Sequence, residues 1–258
     1  MASNWRTRQI LELSTENLQA LILNEIPAIS IADFATCAES ENFTHAVLNM
    51  EAKDYEFGRP GKYIGNPLTH YRNKPKREYF QQVRIAEQER RNVTNKSFDP
   101  LARFIQLINK HTDFSIAIAE EPEYGPFFAG IIRIISGGSD LHVDYAPTFA
   151  KGTLSIGEVR TQLAWNYYAS SPSKGGETTI YNRLYKFTGL DRVYRPYDGE
   201  LLEGCEFITF KPIIGSVVIF NTANPHLVLP SAEGEQDQRI ATGSFIGLME
   251  RRNLVVWS

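Results

Sequence analysis

This chain predicts a mainly β fold with flanking helices, a double-stranded β-helix of the jelly-roll, cupin-like kind. Two observations carry that expectation. Apolar residues recur at helical spacing only within roughly the first 120 positions. Beyond them, roughly seven or eight short β-branched and aromatic runs alternate with turn-forming clusters. Helices first and strands afterwards suit a barrel with helices packed outside it.

The elements follow in order. Ser14-Thr15-Glu16-Asn17, ahead of Leu18, Leu21, Ile22 and Leu23, has the make-up of a capped helix start. Ala28-Ile29-Ser30-Ile31 reads as a short strand, and a second helix is expected over 32–50. Over 53–78 the pattern breaks: Gly58, Pro60, Gly61, Gly65, Pro67 and Pro75 punctuate Tyr63 and Tyr71. A loop of that length usually forms a lid or binding loop, here expected over 53–80. Helix returns over 98–119, with Leu101, Phe104, Ile105 and Ile108 at helical spacing. An apolar strand over 127–135 ends at the turn Ser136-Gly137-Gly138-Ser139. Further strands are expected over 162–169, 177–181, 205–210, 216–220, 226–229 and 242–248. No repeat or linker divides 1–258, so one domain is expected: a mostly helical flank with its lid over 1–120, and a jelly-roll core over 121–258.

Composition excludes several function classes. The net charge is −3, with no basic stripe of the kind phosphate binding uses, so nucleic acid is not an expected partner. The nearest basic cluster, Arg72, Lys74, Lys76 and Arg77, reads as a solvated loop or, less simply, as a grip for an anionic substrate group. No apolar run approaches the roughly 20 residues a membrane helix needs. Cys37 and Cys205 form no metal or redox motif, and no signal-peptide pattern opens the chain, so a soluble cytoplasmic protein is expected. No Gly-rich phosphate loop, no Gly-x-Ser-x-Gly elbow and no Cys with a plausible His partner is present.

Chemistry concentrates at His142-Val143-Asp144 and His226. On a strand, positions i and i+2 point the same way, so His142 and Asp144 can share one metal. With a distant histidine they make the 2-His-1-carboxylate set that holds non-haem Fe(II) on one face and leaves the other open. The triplet follows a strand and a Gly turn, and the run 220–225 turns the chain into His226. Such a site, activating dioxygen with a 2-oxo acid, needs a cation for the far carboxylate of 2-oxoglutarate, and Arg239, opening an apolar strand, suits it. His45 and His111 read as surface or packing residues, and His70 sits in the lid.

These residues resemble the Fe(II)/2-oxoglutarate-dependent oxygenase superfamily. Gln162-Leu163, through Gly175-Gly176-Glu177-Thr178 to Tyr181, is similar to the strand–turn–strand around Gly-Gly-Glu in prolyl-hydroxylase-like members. The nearer resemblance, over 56–258, is to the freestanding aliphatic halogenases of hapalindole- and welwitindolinone-type alkaloid pathways. It is carried by Glu56-Phe57-Gly58, Tyr63-Ile64-Gly65, Tyr79-Phe80, Ile132-Arg133 leading to His142-Val143, 215–221, Arg239 with Gly243 and Phe245, and Trp257-Ser258. Those halogenases have Gly where this chain has Asp144, and chloride occupies the vacancy. With the carboxylate present, hydroxylation is the expected outcome.

The resemblance implies Fe(II) held by His142, Asp144 and His226, with 2-oxoglutarate and dioxygen as cosubstrates and Arg239 on the far carboxylate. Asn166 or Tyr168 would help bind 2-oxoglutarate if their side of the strand faces the pocket; if Trp165 and Tyr167 face it instead, both belong to the core. Asn221 is a candidate support for His226. By the same resemblance the substrate is a free small molecule of secondary metabolism. Tyr63, Ile64, His70, Ser139, Tyr145 and Ala164 are its expected contacts, where lid, metal strand and a neighbouring strand could meet. Rival readings are a halogenating or desaturating variant, a peptide or protein hydroxylase, and a non-catalytic metal-binding jelly roll.

Overall fold

Alternation along the strands decides which side chains meet the helices and which face the interior of the barrel. The computed structural model describes residues 4–55, 61–184, 202–233 and 237–258. The Glu56-Phe57-Gly58 stretch and Pro60 lie outside the described residues. The strands are β1 Leu11–Glu12, β2 Ala28–Ile31, β3 Lys53–Asp54, β4 Lys62–Ile64, β5 Ser115–Ile118, β6 Glu120–Glu121, β7 Gly125–Pro126 and β8 Ile131–Ile135. They continue as β9 Ser139–His142, β10 Thr161–Ser170, β11 Thr178–Tyr181, β12 Phe207–Phe210, β13 Val217–Asn221, β14 His226–Val228, β15 Arg239–Glu250 and β16 Asn253–Trp257. The helices are α1 Thr15–Ile22, α2 Cys37–Leu48, α3 Lys76–Thr94, α4 Pro100–His111 and α5 Pro147–Ala150.

Two sheets form the barrel. The larger runs β1-β2-β13-β10-β15-β8-β4-β3, and the second half of β15 also pairs with β16, which pairs with β5. The smaller runs β12-β11-β14-β9. This mostly antiparallel, two-sheet arrangement is the expected jelly roll.

Helices α1, α2 and α4 cover the outer face of the large sheet. Leu18 and Leu21 from α1, Phe43 and Val47 from α2, and Leu101, Phe104 and Ile108 from α4 pack there against Leu163, Trp165, Tyr167, Val217 and Ile219. Phe104 stacks on Trp165 at 4.4 Å between ring centroids. Each helix start is chemically marked. Ser14 accepts from the Asn17 amide, Thr36 and Glu39 form a reciprocal capping box, and Asp99 caps α4 with Pro100 in its first turn.

The structure corrects the element reading at three places. The helix expected over 98–119 stops at His111, because Phe114-Ser115-Ile116-Ala117-Ile118 alternates with period two and forms β5. The Asn109 side chain fastens that strand to the helix, donating to the Ile116 carbonyl and accepting from its amide. The expected loop over 53–78 carries β3 and β4, which extend the large sheet, and its end starts α3. α3 escapes a hydrophobic reading because it is mostly charged, with only Tyr79, Ala86 and Val93 as its buried apolar residues; buried Arg90 bonds to Glu87 and Asp99. Finally, 1–120 is not merely a helical flank, since β2, β4 and β5 join the large sheet.

Candidate active site

Two adjacent strands of the small sheet and the turn beside them bring the three metal-type ligands together. β9 and β14 pair with His142 opposite His226. Asp144 lies two residues past the end of β9, and its backbone is fixed to the turn before His226: its amide donates to the Thr222 carbonyl at 3.0 Å and its carbonyl accepts from the Thr222 hydroxyl at 2.8 Å. One ligand atom from each of His142, Asp144 and His226 lies within 4.8 Å of the others. The Asp144 Oδ2 sits 3.5 Å from His142 Nε2 and 3.8 Å from His226 Nε2.

Both imidazoles are oriented by backbone carbonyls. His142 Nδ1 is 2.6 Å from the Asp140 carbonyl, and His226 Nδ1 is 2.9 Å from the Asn224 carbonyl. A carbonyl can only accept, so each Nδ1 carries a proton and donates it, and each Nε2 is the atom turned toward Asp144, the arrangement metal-binding histidines use. Burial and the neighbouring His142 push His226 down to about 3, which keeps it neutral. Burial pushes Asp144 up, but the two imidazoles and Arg72 outweigh it and hold the carboxyl below its ordinary range. Two oriented imidazoles around an ionised carboxylate fit a divalent cation.

The inner face of the large sheet supplies the second half. Cross-strand register puts Ala164, Asn166 and Tyr168 of β10 on the same face as Phe245, Gly243 and Ala241 of β15. Ala164, Tyr168 and Ala241 pack with Ile180 and Ile208 of the small sheet, so this face is the interior. The face question for β10 is thereby settled: Trp165 and Tyr167 go to the helices. Gly243 has to be glycine here, because a Cβ would come within 2.1 Å of the Trp165 carbonyl oxygen and 3.0 Å of Asn166 Oδ1.

Arg239 enters this interior from the start of β15 and is buried. Its Nη1 reaches the Gly176 carbonyl at 3.4 Å and the Thr178 hydroxyl at 3.3 Å, and its guanidinium lies 5.6 Å from the Tyr168 ring centre. Its Nε is buried with no hydrogen-bond partner among the described residues. The Gly175-Gly176 turn holds Gly176 there: both glycines have positive φ, and a Cβ on Gly175 would lie 2.1 Å from the Pro230 carbonyl oxygen. A buried guanidinium with neutral partners and an open donor suits an incoming carboxylate.

The expected substrate contacts divide. Tyr63 faces the interior beside Arg133, and its hydroxyl lies 3.4 Å from His70 Nδ1. Ser139 Oγ is 3.5 Å from His142 Nδ1, Tyr145 follows Asp144 with its hydroxyl 3.4 Å from the Val159 carbonyl, and Ala164 is on the interior face. Ile64 sits in the helix-side core, because the alternation that turns Tyr63 inward turns its neighbour outward. Asn221 shapes the turn, accepting from the Ala223 amide, while the group that orients His226 is the Asn224 carbonyl.

Sequence reasoning missed Asn224, which orients His226 through its backbone carbonyl, and Thr222, which holds the Asp144 backbone with both its carbonyl and its hydroxyl. It also read Arg72 chiefly as part of a solvated loop. Lys74 and Arg77 are exposed, but Arg72 is half-buried, with its guanidinium 4.7 Å from the Phe149 ring centre and its charge acting on Asp144.

No known family model matches the chain. It is 30% identical over 205 residues to the leucinostatins biosynthesis cluster protein S of Purpureocillium lilacinum, covering 74% of this chain and 84% of that protein. It is also 30% identical over 134 residues to the L-gamma-glutamyl-L-propargylglycine hydroxylase of Streptantibioticus cattleyicolor, a match spanning 52% of this chain and 49% of that enzyme. Among solved structures, the N-substituted L-amino acid dioxygenase of Burkholderia ambifaria shares the fold, with a TM-score of 0.63 over 95% of this chain and 91% of that one at 15% identity. The chain belongs to one family with the fungal protein S. Among the described residues, no helix is long and apolar enough to cross a membrane.

Proposed function

We propose that this protein hydroxylates an unactivated C–H bond of a free, carboxylate-bearing small molecule, using Fe(II), 2-oxoglutarate and dioxygen. The observation that carries the reading is the convergence of His142, Asp144 and His226 with both Nδ1 atoms tied to carbonyls. In this reading those three side chains hold the iron, and Arg239 takes the far carboxylate of 2-oxoglutarate with Tyr168 and Thr178 beside it. When bound, iron and 2-oxoglutarate supply the oxidising power that breaks the C–H bond, with succinate and carbon dioxide as by-products. The chain contributes position and dryness: Phe220 packs 4.9 Å from the His226 ring and Thr222 fixes the Asp144 backbone.

Hydroxylation is favoured over chlorination because Asp144 fills the position that the similar halogenases leave to chloride. Arg72 near Asp144 favours a substrate with an anionic group, held close to the metal by charge. The names of the relatives, a γ-glutamyl amino acid hydroxylase and an L-isoleucine 3(1)-dioxygenase, support an amino acid or its derivative. Cys37 and Cys205 are free thiols, which suits a cytoplasmic setting.

The test begins with anaerobic titration of Fe(II) and 2-oxoglutarate, which should raise the weak visible charge-transfer band of the chelate. Succinate release is then measured against free, N-substituted and γ-glutamyl L-amino acids under labelled dioxygen. One labelled oxygen atom in the product is expected. No band, or succinate release that no substrate stimulates, would sink the reading. Efficient chlorination by the unaltered protein would overturn the argument from Asp144.

A further inference from the structure

We propose that Arg133 is a second anchor for 2-oxoglutarate, sharing its far carboxylate with Arg239. The assignment rests on the function proposed above and deepens it. In the strand register Arg133 of β8 stands between Tyr63 of β4 and Ala241 of β15, on the interior face. Arg239 lies two residues along β15 from Ala241, on that same face. Diagonal neighbours of this kind are roughly 7–8 Å apart, within reach of two long side chains aimed at one point.

The charges are unbalanced. Among the described residues Arg239 hydrogen-bonds a carbonyl and a hydroxyl, lies by the Tyr168 ring, meets no anion, and keeps a buried Nε without a partner. Among the described residues Arg133, half-buried, has no hydrogen bond or ion pair. Burial and the charge of Arg133 together depress the Arg239 guanidinium, so the two cations do repel one another across the interior. Guanidinium groups stay charged, so the repulsion cannot be relieved by losing a proton. An anion between them relieves it. One carboxylate offers two oxygens and about four lone-pair sites, enough for both forks.

The dicarboxylate cosubstrate meets that demand, and its consequence is selectivity. A 2-oxo acid with no far carboxylate could chelate the same metal through the same oxygens yet leave both arginines unpaired. Discrimination against it should therefore depend on Arg133 as well as on Arg239.

The full chain loaded with Fe(II) under anaerobic conditions is titrated with 2-oxoglutarate and, separately, with 2-oxopentanoate, and the charge-transfer band is followed. Arg133→Gln should weaken 2-oxoglutarate binding by about tenfold or more, with Arg133→Lys intermediate. Affinity for 2-oxopentanoate should change by less than about twofold, and the far-ultraviolet spectrum should not change. Unchanged 2-oxoglutarate affinity in Arg133→Gln, including the case where only the substrate KM rises, overturns this assignment alone. Equal weakening of both acids overturns it too, since the far carboxylate would then be irrelevant. Absence of the band in the unaltered protein overturns the proposed function along with it.

Discussion

Trp165 and Tyr167 on one side of β10, and Ala164, Asn166 and Tyr168 on the other, are neighbours in sequence and opposites in circumstance. The outer side is apolar and closed: Trp165 stacks on Phe104, and Tyr167 is ringed by Phe34, Phe43 and Phe98. The inner side is mixed, with Asn166 part-exposed and Arg133 and Arg239 nearby on the same surface. The first side is packed by aromatic side chains, and only the Trp165 Nε1 is left without a hydrogen-bond partner there among the described residues. On the second, charge and hydrogen-bonding capacity exceed what the described residues use. One strand thus carries stability on its odd positions and recognition on its even ones.

Substitutions should separate the two. The largest effect is expected from His226→Ala at the interior: it should abolish the Fe(II)-dependent band and lower turnover to background while the far-ultraviolet spectrum is unchanged. Survival of turnover would remove His226 from the site. On the outer side, Trp165→Ala should cost about 3–5 kcal/mol of unfolding free energy, measured in urea. The folded fraction should still bind Fe(II) and 2-oxoglutarate; a matching loss of affinity would mean the two faces are coupled.

The smallest effect concerns the helix layer. Glu39 caps α2 and bonds to Arg103 at 2.6 Å, and those partners hold its carboxyl down to about 2 from an ordinary 4.5. Its folded value lies below its unfolded one. The stability it contributes is therefore complete above about pH 4.5 and fades as pH falls toward 2. Glu39→Gln should lower the melting midpoint at pH 7 and narrow the gap between midpoints at pH 7 and pH 3. An unaltered gap would show that the pair, which is partly solvent-exposed, adds nothing to acid stability.

The legibility of the molecule in its sequence follows the range of the physical rule involved. His142 and Asp144 were readable as a His-x-Asp pair, but strand alternation is not what aligns them, since β9 ends at His142 and Thr222 holds Asp144; Arg239 stood out because it opens an apolar strand. The side of β10 that faces inward was not readable: both sides carry aromatic residues, and only the helices and β15 break the tie. Ile64 was misplaced for a related reason, since one residue of register exchanges the faces. Charged α3 defeats a search for apolar stripes, and β5 hides behind a helix whose pattern runs into it. Asn224 acts through a carbonyl that every residue possesses, and the Thr222 hydroxyl meets Asp144 only because the fold brings together positions 78 residues apart.

The register that sets His142 against His226 has a mechanical side. Among the described residues β9 is the last strand of the small sheet, with one flank unpaired, and its tie to β14 is a short, irregular ladder. An ion gripped by His142, Asp144 and His226 would rivet that loose border to its neighbour. Loading would then raise the cost of local opening there more than anywhere else, by the ordinary linkage between binding and folding. In hydrogen exchange the amides of β9 and β14 would slow first as metal is added, leaving the helix-backed core of β10 unmoved. The strand border that makes the chemistry is also the seam that the metal sews shut.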